Sequence, residues 1–222
     1  MANQPYPLSG AQPSVVSANK VLKNTYMLLS ATLAFSAIMA GVSIFFALPS
    51  WVYLASVIVA MVLGIFVLPR TANSSAGIGV IFLITGLLGL GLGSILTLYL
   101  ALPKGPEIIA TAFGGTALIF LGLSAYALNS KRDFSFMGGF LFAGIMVVFL
   151  AAIANLFLEL PALSLAISAG IILVMSGFIL FDTSRIIRGG ETNYIMATYG
   201  LYLNIFNIFL SLLQILGILG DE

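Results

Sequence analysis

The sequence predicts an all-α integral membrane protein that forms a bundle of seven transmembrane helices. The 222-residue chain is 61% hydrophobic and only 7% charged, with a mean hydropathy of +1.18. A soluble domain of this size fills its water-facing positions with polar groups, so this composition is typical of a protein immersed in lipid. The apolar residues also fall into seven long stretches separated by short turn-forming segments.

Each apolar stretch is long enough to be a membrane-spanning helix. About 20 residues of α-helix cross about 30 Å of hydrocarbon, where no water is present to satisfy an exposed backbone. The intervening segments contain proline, glycine, serine or asparagine, which favour turns. These segments are short, so successive helices are expected to be antiparallel neighbours. The predicted spans are residues 24–48, 51–68, 76–102, 107–128, 134–158, 163–187 and 194–219.

The basic residues predict the orientation of the bundle. Cytoplasmic loops of membrane proteins carry an excess of lysine and arginine. An N-terminus in the cytoplasm leaves Lys104 as the one basic residue outside, and seven spans then place the C-terminus outside. The basic residues on the cytoplasmic side are Lys20, Lys23, Arg70, Lys131, Arg132, Arg185 and Arg188.

The first residues of the chain differ in composition from the rest. Residues 1–20 contain three prolines and one basic residue, and they lack the charged start and long apolar core of a cleaved signal peptide. We predict that residues 1–23 form a disordered cytoplasmic tail and that residues 24–222 form the membrane domain.

Two absent residue types narrow the functional classes. The sequence has no cysteine and no histidine, so disulfides, thiol catalysis, thiolate or histidine metal sites and the commonest general base are excluded. The net charge of +1 gives no case for nucleic-acid binding. We expect a protein that is not an enzyme, has no catalytic residues, needs no cofactor and has the lipid bilayer as its first partner.

Glycines within the third predicted span indicate close helix packing. The run GLLGLGLGS superficially resembles a nucleotide-binding loop, but it lies inside an apolar span and follows no soluble strand. Gly89 and Gly93 are four residues apart, a spacing that lets two helix backbones approach in lipid.

One carboxylate in the last two spans is the principal candidate site residue. Asp182 lies eleven residues before Asn193 and Asn204 lies eleven residues after it. Antiparallel helices joined near Asn193 therefore bring Asp182 and Asn204 to a similar depth. Arg185 follows Asp182 by three residues, and Arg70 ends the second span on the same membrane side, so both arginines are candidate partners for the carboxylate.

Several interpretations of Asp182 remain open. An aspartic intramembrane protease requires two carboxylates that share a proton, which argues strongly against that class. A calcium site requires oxygen ligands, and Asp182 with Asn204 is a sparse set. A pH sensor requires a carboxylate with a pKa raised by burial, which a neighbouring arginine opposes. A structural role would pair the carboxylate with Arg185 or Arg70 and with the Asn204 amide. The lone carboxylate favours this structural interpretation over a sensor made of two coupled carboxylates.

Several segments give the chain a family resemblance over nearly its whole length. It resembles the Bax inhibitor-1 family of seven-helix membrane proteins, and within that family the bacterial YccA-like branch. The segments that carry the resemblance are KVLKNTYMLLSATLAFSAI, GGTALIFLGLSAY, KRDFSFMGGFLFAGI, ANLFLELPALSLAISA and RGGETNYIMATYGLYLNIFNIFLSLLQILG.

This resemblance implies a fold, a location and two candidate functions. It implies a bundle with a central seventh helix in the bacterial inner membrane. For the YccA-like branch it implies that the protein binds the membrane AAA protease FtsH, as a slowly degraded client and as a modulator of membrane-protein degradation. The cytoplasmic tail fits a segment that such a protease would grip.

The alternative function implied by the family is a pH-sensitive calcium or cation leak. Its motif is two aspartates on the last two helices, with an arginine from the second helix that holds the closed state. Asp182 matches the first aspartate and Arg70 matches the arginine. The second aspartate position falls on Asn204, which carries no charge, so this chain has an altered sensor pair.

Overall fold

The structure is a computed structural model that describes residues 15–130 and 132–220, with side chains from residue 18 onward. Its described residues contain seven long helices and no strand. All seven are long and apolar enough to span a membrane, which confirms the predicted fold class. The helices are α1 (Val15–Phe45), α2 (Trp51–Thr71), α3 (Ala76–Leu100), α4 (Gly105–Asn129), α5 (Gly138–Leu158), α6 (Pro161–Ile187) and α7 (Tyr194–Gly220).

The first helix begins earlier than the sequence analysis placed it. α1 starts at Val15, so residues 15–23 belong to the helix, and assigning them to the tail was wrong. The physical reason is that this segment has apolar residues to bury: Ala18 is buried, and Val21 and Leu22 pack against the core. Residues 1–14 of the predicted tail lie outside the described residues.

Three turns meet at the end of the bundle where α1 begins. Asn193, before α7, donates its side-chain amide to the Ala72 carbonyl and to the Asn73 side chain, both at 2.9 Å, in the α2–α3 turn. The backbone N–H of Phe134, before α5, donates to the Ser184 hydroxyl near the end of α6 at 3.1 Å. We call this end, which the basic residues predict to face the cytoplasm, the cytoplasmic end.

The seventh helix lies at the centre of the bundle, as predicted. The Tyr202 side chain on α7 is 1% exposed, and its hydroxyl is 2.7 Å from the Ser36 hydroxyl of α1. Thr198, one turn earlier, donates to the Thr25 carbonyl of α1 at 3.2 Å. α7 also packs against α3, α4 and α6. Polar side chains therefore tie the central helix to its neighbours, where hydrogen bonds replace the missing water.

α5 lies at the edge of the bundle, packed against α6. Its large apolar side chains point away from the protein, among them Phe140, Phe149 and Phe157. In a membrane these rings face lipid, whose tails are as apolar as the rings themselves.

Glycines hold α3 close to α1, as predicted. A Cβ atom on Gly89 would collide with the Ser36 carbonyl oxygen, and one on Gly93 would collide with the Ala40 carbonyl oxygen. The two backbones approach so closely that no side chain fits at either position.

Candidate functional site

The α6–α7 hairpin has a defined turn, and this turn fixes the relative height of its two helices. Gly189 adopts a φ of +73°, and the N–H groups of Gly189 and Gly190 donate to the carbonyls of Ile186 and Arg185. This arrangement is the Schellman motif that ends many helices. The Asn193 side chain then caps α7 by accepting from the N–H groups of the second and third residues after it, at 2.9 and 3.1 Å.

Within this hairpin the structure brings Asp182 and Asn204 together. The Asn204 side-chain amide donates to Asp182 Oδ2 at 2.9 Å, which confirms their predicted proximity. Asn204 is buried, with 6% of its surface exposed. Asp182 is partly exposed, because a cavity adjoins it.

The cavity beside Asp182 lies at the cytoplasmic end of α6 and α7 and has a volume of about 220 Å³. Gly200 lies directly opposite the carboxylate: a Cβ atom there would be 3.3 Å from Asp182 Oδ2. The missing side chain leaves Asp182 in contact with open space. We call this cavity the Asp182 pocket; Asp182, Arg185, Glu191, Met196, Tyr199 and Gly200 are among its lining residues.

The two arginines proposed as partners of Asp182 have other partners. Arg185 lines the same pocket, but it forms its salt bridge with Glu191 at 3.7 Å and donates to the Gly190 carbonyl at 3.1 Å. Its guanidinium also lies 5.4 Å from the centroid of the Phe181 ring. Arg185 forms no salt bridge with Asp182 in this structure, because it points toward the turn after α6, which supplies a carboxylate and a carbonyl.

Arg70 is likewise not paired with Asp182. Its guanidinium donates to the Phe66 carbonyl of its own helix at 2.9 Å. Among the described residues, no salt bridge joins Asp182 to either arginine. The Asn204 amide is therefore the group that holds the carboxylate in this structure.

A second carboxylate contact, which the sequence analysis did not foresee, joins the α4–α5 segment to the end of α6. Asp133 Oδ1 accepts hydrogen bonds from the Ser135 N–H at 2.9 Å and the Ser184 hydroxyl at 3.2 Å, and it lies 3.4 Å from Arg188 Nε. The hydrogen bonds from Ser135, helped by Arg188, lower the pKa of the Asp133 carboxyl below its usual value. Asp133 therefore docks this segment on the end of α6.

A further cavity lies between α2, α3 and α7, and the sequence analysis missed it. We call it the inner cavity; it has a volume of about 250 Å³ and lies within the membrane-spanning segments. Apolar side chains form most of its wall, together with two tyrosines and one amide. Tyr53, Ala60, Ile84, Tyr199, Leu203 and Asn207 are among its lining residues.

A comparison with known protein families shows to which family the chain belongs. A family model described as "Inhibitor of apoptosis-promoting Bax1" matches residues 18–221. The chain belongs to this Bax inhibitor-1 family. The match covers α1 from residue 18 onward and the other six helices in full, including the hairpin that carries Asp182 and Asn204.

Bacterial relatives of similar length place the chain within this family. It is 55% identical over 204 residues to the Escherichia coli K12 protein named "Modulator of FtsH protease YccA", with 92% of each chain covered. It is 52% identical over 207 residues to an uncharacterized membrane protein of Vibrio cholerae, with 93% of each covered. A second Escherichia coli relative is named an inner membrane protein. The chain is accordingly a multi-pass protein of the inner membrane.

The Asp182 pocket contains two carboxylates: Asp182 accepts a hydrogen bond from the Asn204 amide, and Glu191 is paired with Arg185. Within residues 15–130 and 132–220, no three His, Cys, Asp or Glu side chains gather into a metal site. A calcium ion at Asp182 would rely on the carboxylate and the Asn204 amide oxygen, and this interpretation stays a prediction.

Proposed function

We propose that this chain is a non-enzymatic membrane protein that binds a membrane AAA protease of the FtsH kind and modulates its degradation of other membrane proteins. One observation carries this proposal: the Escherichia coli relative named a modulator of that protease is 55% identical over 92% of both chains. The absence of histidine and cysteine from the sequence supports a role in binding rather than in catalysis.

Several features of the fold are compatible with such a role. Seven helices immerse the chain in the bilayer that holds the protease, and the basic residues assign the N-terminus to the cytoplasm. Pairs of polar side chains within the spans are engaged with each other, as in Asp182–Asn204 and Ser168–Gln214. We expect no cofactor.

Co-purification from detergent extracts tests the proposed binding. The tagged chain is expected to retain the protease of its own host at near-stoichiometric amounts, and an equally tagged unrelated seven-helix protein is the control. Recovery of the protease at the control level would contradict the proposal.

The segment before α1 is the predicted point at which the protease grips the chain as a client. Residues 1–14 lie outside the described residues, so deletion is the direct test. Removal of residues 1–12 is expected to slow degradation of the chain and to weaken its modulation of the protease. Unchanged turnover would contradict the role of this segment and leave the proposed binding intact, since co-purification measures binding separately.

A second candidate function is a calcium or cation leak with an altered sensor pair. The observation that favours it is the Asp182 pocket, where a carboxylate within a membrane span adjoins open space at the cytoplasmic end. An ionisable residue in a span is expensive and often marks an ion or proton pathway.

Calcium flux from loaded vesicles tests the leak. If Asp182 controls it, Asp182→Asn should change the flux measured between about pH 6 and pH 8, because the variant has no ionisable group at this position. Asn204→Asp should introduce a new pH dependence, because two carboxylates at hydrogen-bonding distance cannot both ionise freely. Equal fluxes from the parent and Asp182→Asn at every pH would exclude Asp182 as the sensor.

A further inference from the structure

Tyr199 lies between the Asp182 pocket and the inner cavity. Its side chain lines the Asp182 pocket on one side and the inner cavity on the other. Among the described residues, no other side chain lines both cavities. Tyr199 begins the stripe on α7 that continues with Leu203 and Asn207 at intervals of four residues, so these side chains share one face of the helix.

The ring of Tyr199 packs directly against the backbone of α2 at Gly64. A Cβ atom on Gly64 would collide with the Tyr199 hydroxyl and would lie 2.6 Å from the ring carbon that bears it. Gly64 is buried, and it lies in a π-helical turn over Leu63–Val67, where the Leu68 N–H donates to the Leu63 carbonyl. Single π-helical turns in α-helices occur frequently at functional sites.

We infer that Tyr199 is the barrier that separates the Asp182 pocket from the inner cavity, and that Gly64 positions its ring. The inference goes beyond the proposed function and does not depend on it. Asp182 contacts the pocket at the cytoplasmic end, whereas the inner cavity extends along α7 toward Asn207, about 12 Å further at 1.5 Å per residue. Without the ring, the two cavities join into one cleft that runs from the carboxylate into the membrane interior.

The barrier can be tested by the accessibility of a single cysteine, because the natural chain contains none. Ala60 is 2% exposed and lines the inner cavity, so Ala60→Cys places a thiol behind the ring. A charged methanethiosulfonate reagent is added to membrane vesicles opened on both sides, which makes the result independent of orientation. The measured quantity is the rate of thiol modification.

In the Ala60→Cys background, Tyr199→Ala is expected to raise the modification rate at least about tenfold, since access no longer requires transient displacement of the ring. Tyr53→Ala is the matched control: it removes a tyrosine from the same cavity but leaves the barrier in place, so the rate should stay within about twofold of the parent. An unchanged rate in Tyr199→Ala, or an equal rise in Tyr53→Ala, overturns the inference.

Two further variants test the positioning role and guard against misfolding. Tyr199→Leu keeps apolar bulk but is too short to reach Gly64, so it should raise the rate as Tyr199→Ala does and carries the test if the alanine variant does not fold. Gly64→Ala should raise the modification rate when Tyr199 is present, because the new Cβ displaces the ring. In the Tyr199→Ala background it should have no further effect, because the ring that the Cβ would contact is absent. Equal effects of Gly64→Ala in both backgrounds would show that Gly64 does not act through the ring.

Discussion

The interface between α1 and α3 and the interface between α6 and α7 are built on different principles. At the first, Gly89 and Gly93 bring backbone against backbone without room for a Cβ atom. At the second, side chains span the gap: Asp182 bonds to Asn204 and Ser168 bonds to Gln214. A pocket of about 220 Å³ adjoins Asp182.

This difference indicates that the α1–α3 interface serves packing, whereas the α6–α7 interface contains the candidate site. α1 and α3 pack closely in lipid although neither helix contains a carboxylate, so a carboxylate is not required for helix association in this protein. The α6–α7 interface nevertheless keeps a charged group in a span, where it is costly, and keeps space beside it. That combination makes the α6–α7 interface the better place to look for function.

The largest effect is expected at the α1–α3 interface. Gly89→Ala should lower the free energy of unfolding by about 3 kcal/mol or more, because its Cβ meets the Ser36 backbone, which cannot move aside as a side chain would. Equilibrium unfolding in mixed micelles measures the change. Gly79→Ala on the same helix is the control: nothing lies within 4 Å of its Cβ, so no loss is expected. Equal stability of both variants would show that the two backbones are not in contact.

An intermediate effect is expected at the α6–α7 interface. Asn204→Leu removes the amide bonded to Asp182 and should cost about 1–2 kcal/mol, because the carboxylate is left without its hydrogen-bond donor. Ser168→Ala, which breaks the neutral bond to Gln214 on the same two helices, should cost about 0.6 kcal/mol. A larger loss from Ser168→Ala than from Asn204→Leu would contradict the distinction between the pair that contains a carboxylate and the pair that does not.

The smallest effect is expected at Asp133, outside the spans. Because its pKa is lowered in the folded protein, its contribution is complete above the unfolded pKa of about 3.9 and is lost as the pH falls through the folded value. Hydrogen exchange of the Phe134 and Ser135 amides, corrected for intrinsic rates, should therefore show constant protection from pH 8 to about pH 5. In Asp133→Ala the Ser135 amide should lose protection at every pH, because alanine has no acceptor for its N–H. Protection that falls between pH 7 and pH 5 would refute this docking model.

The helices and the Asp182–Asn204 pair could be predicted from the sequence because both follow from local rules. A span needs about 20 apolar residues, and a short turn sets the height of Asp182 against Asn204. The partner of Arg185 could not be predicted from an i, i+3 spacing, since its long side chain reaches Glu191 in the following turn.

The contact between Gly64 and Tyr199 could not be predicted because it joins two helices that are distant in sequence. One signal for it was present in the sequence. Pro69 lacks an N–H, and its ring crowds the carbonyl four residues earlier, at Ile65. A local departure from regular α-helix in the turn before Pro69 was therefore to be expected, and the π-helical turn over Leu63–Val67 lies there.

Reconstituted proteolysis measures the proposed modulation of the protease. Vesicles that contain the membrane AAA protease of the same host and a separate membrane-protein substrate are prepared with and without this chain, and loss of the substrate is followed over time in the presence of ATP. We expect the chain to slow substrate loss in proportion to its amount, while the chain itself is degraded slowly. A substrate half-life that is unchanged at a molar excess of the chain would contradict its role as a modulator.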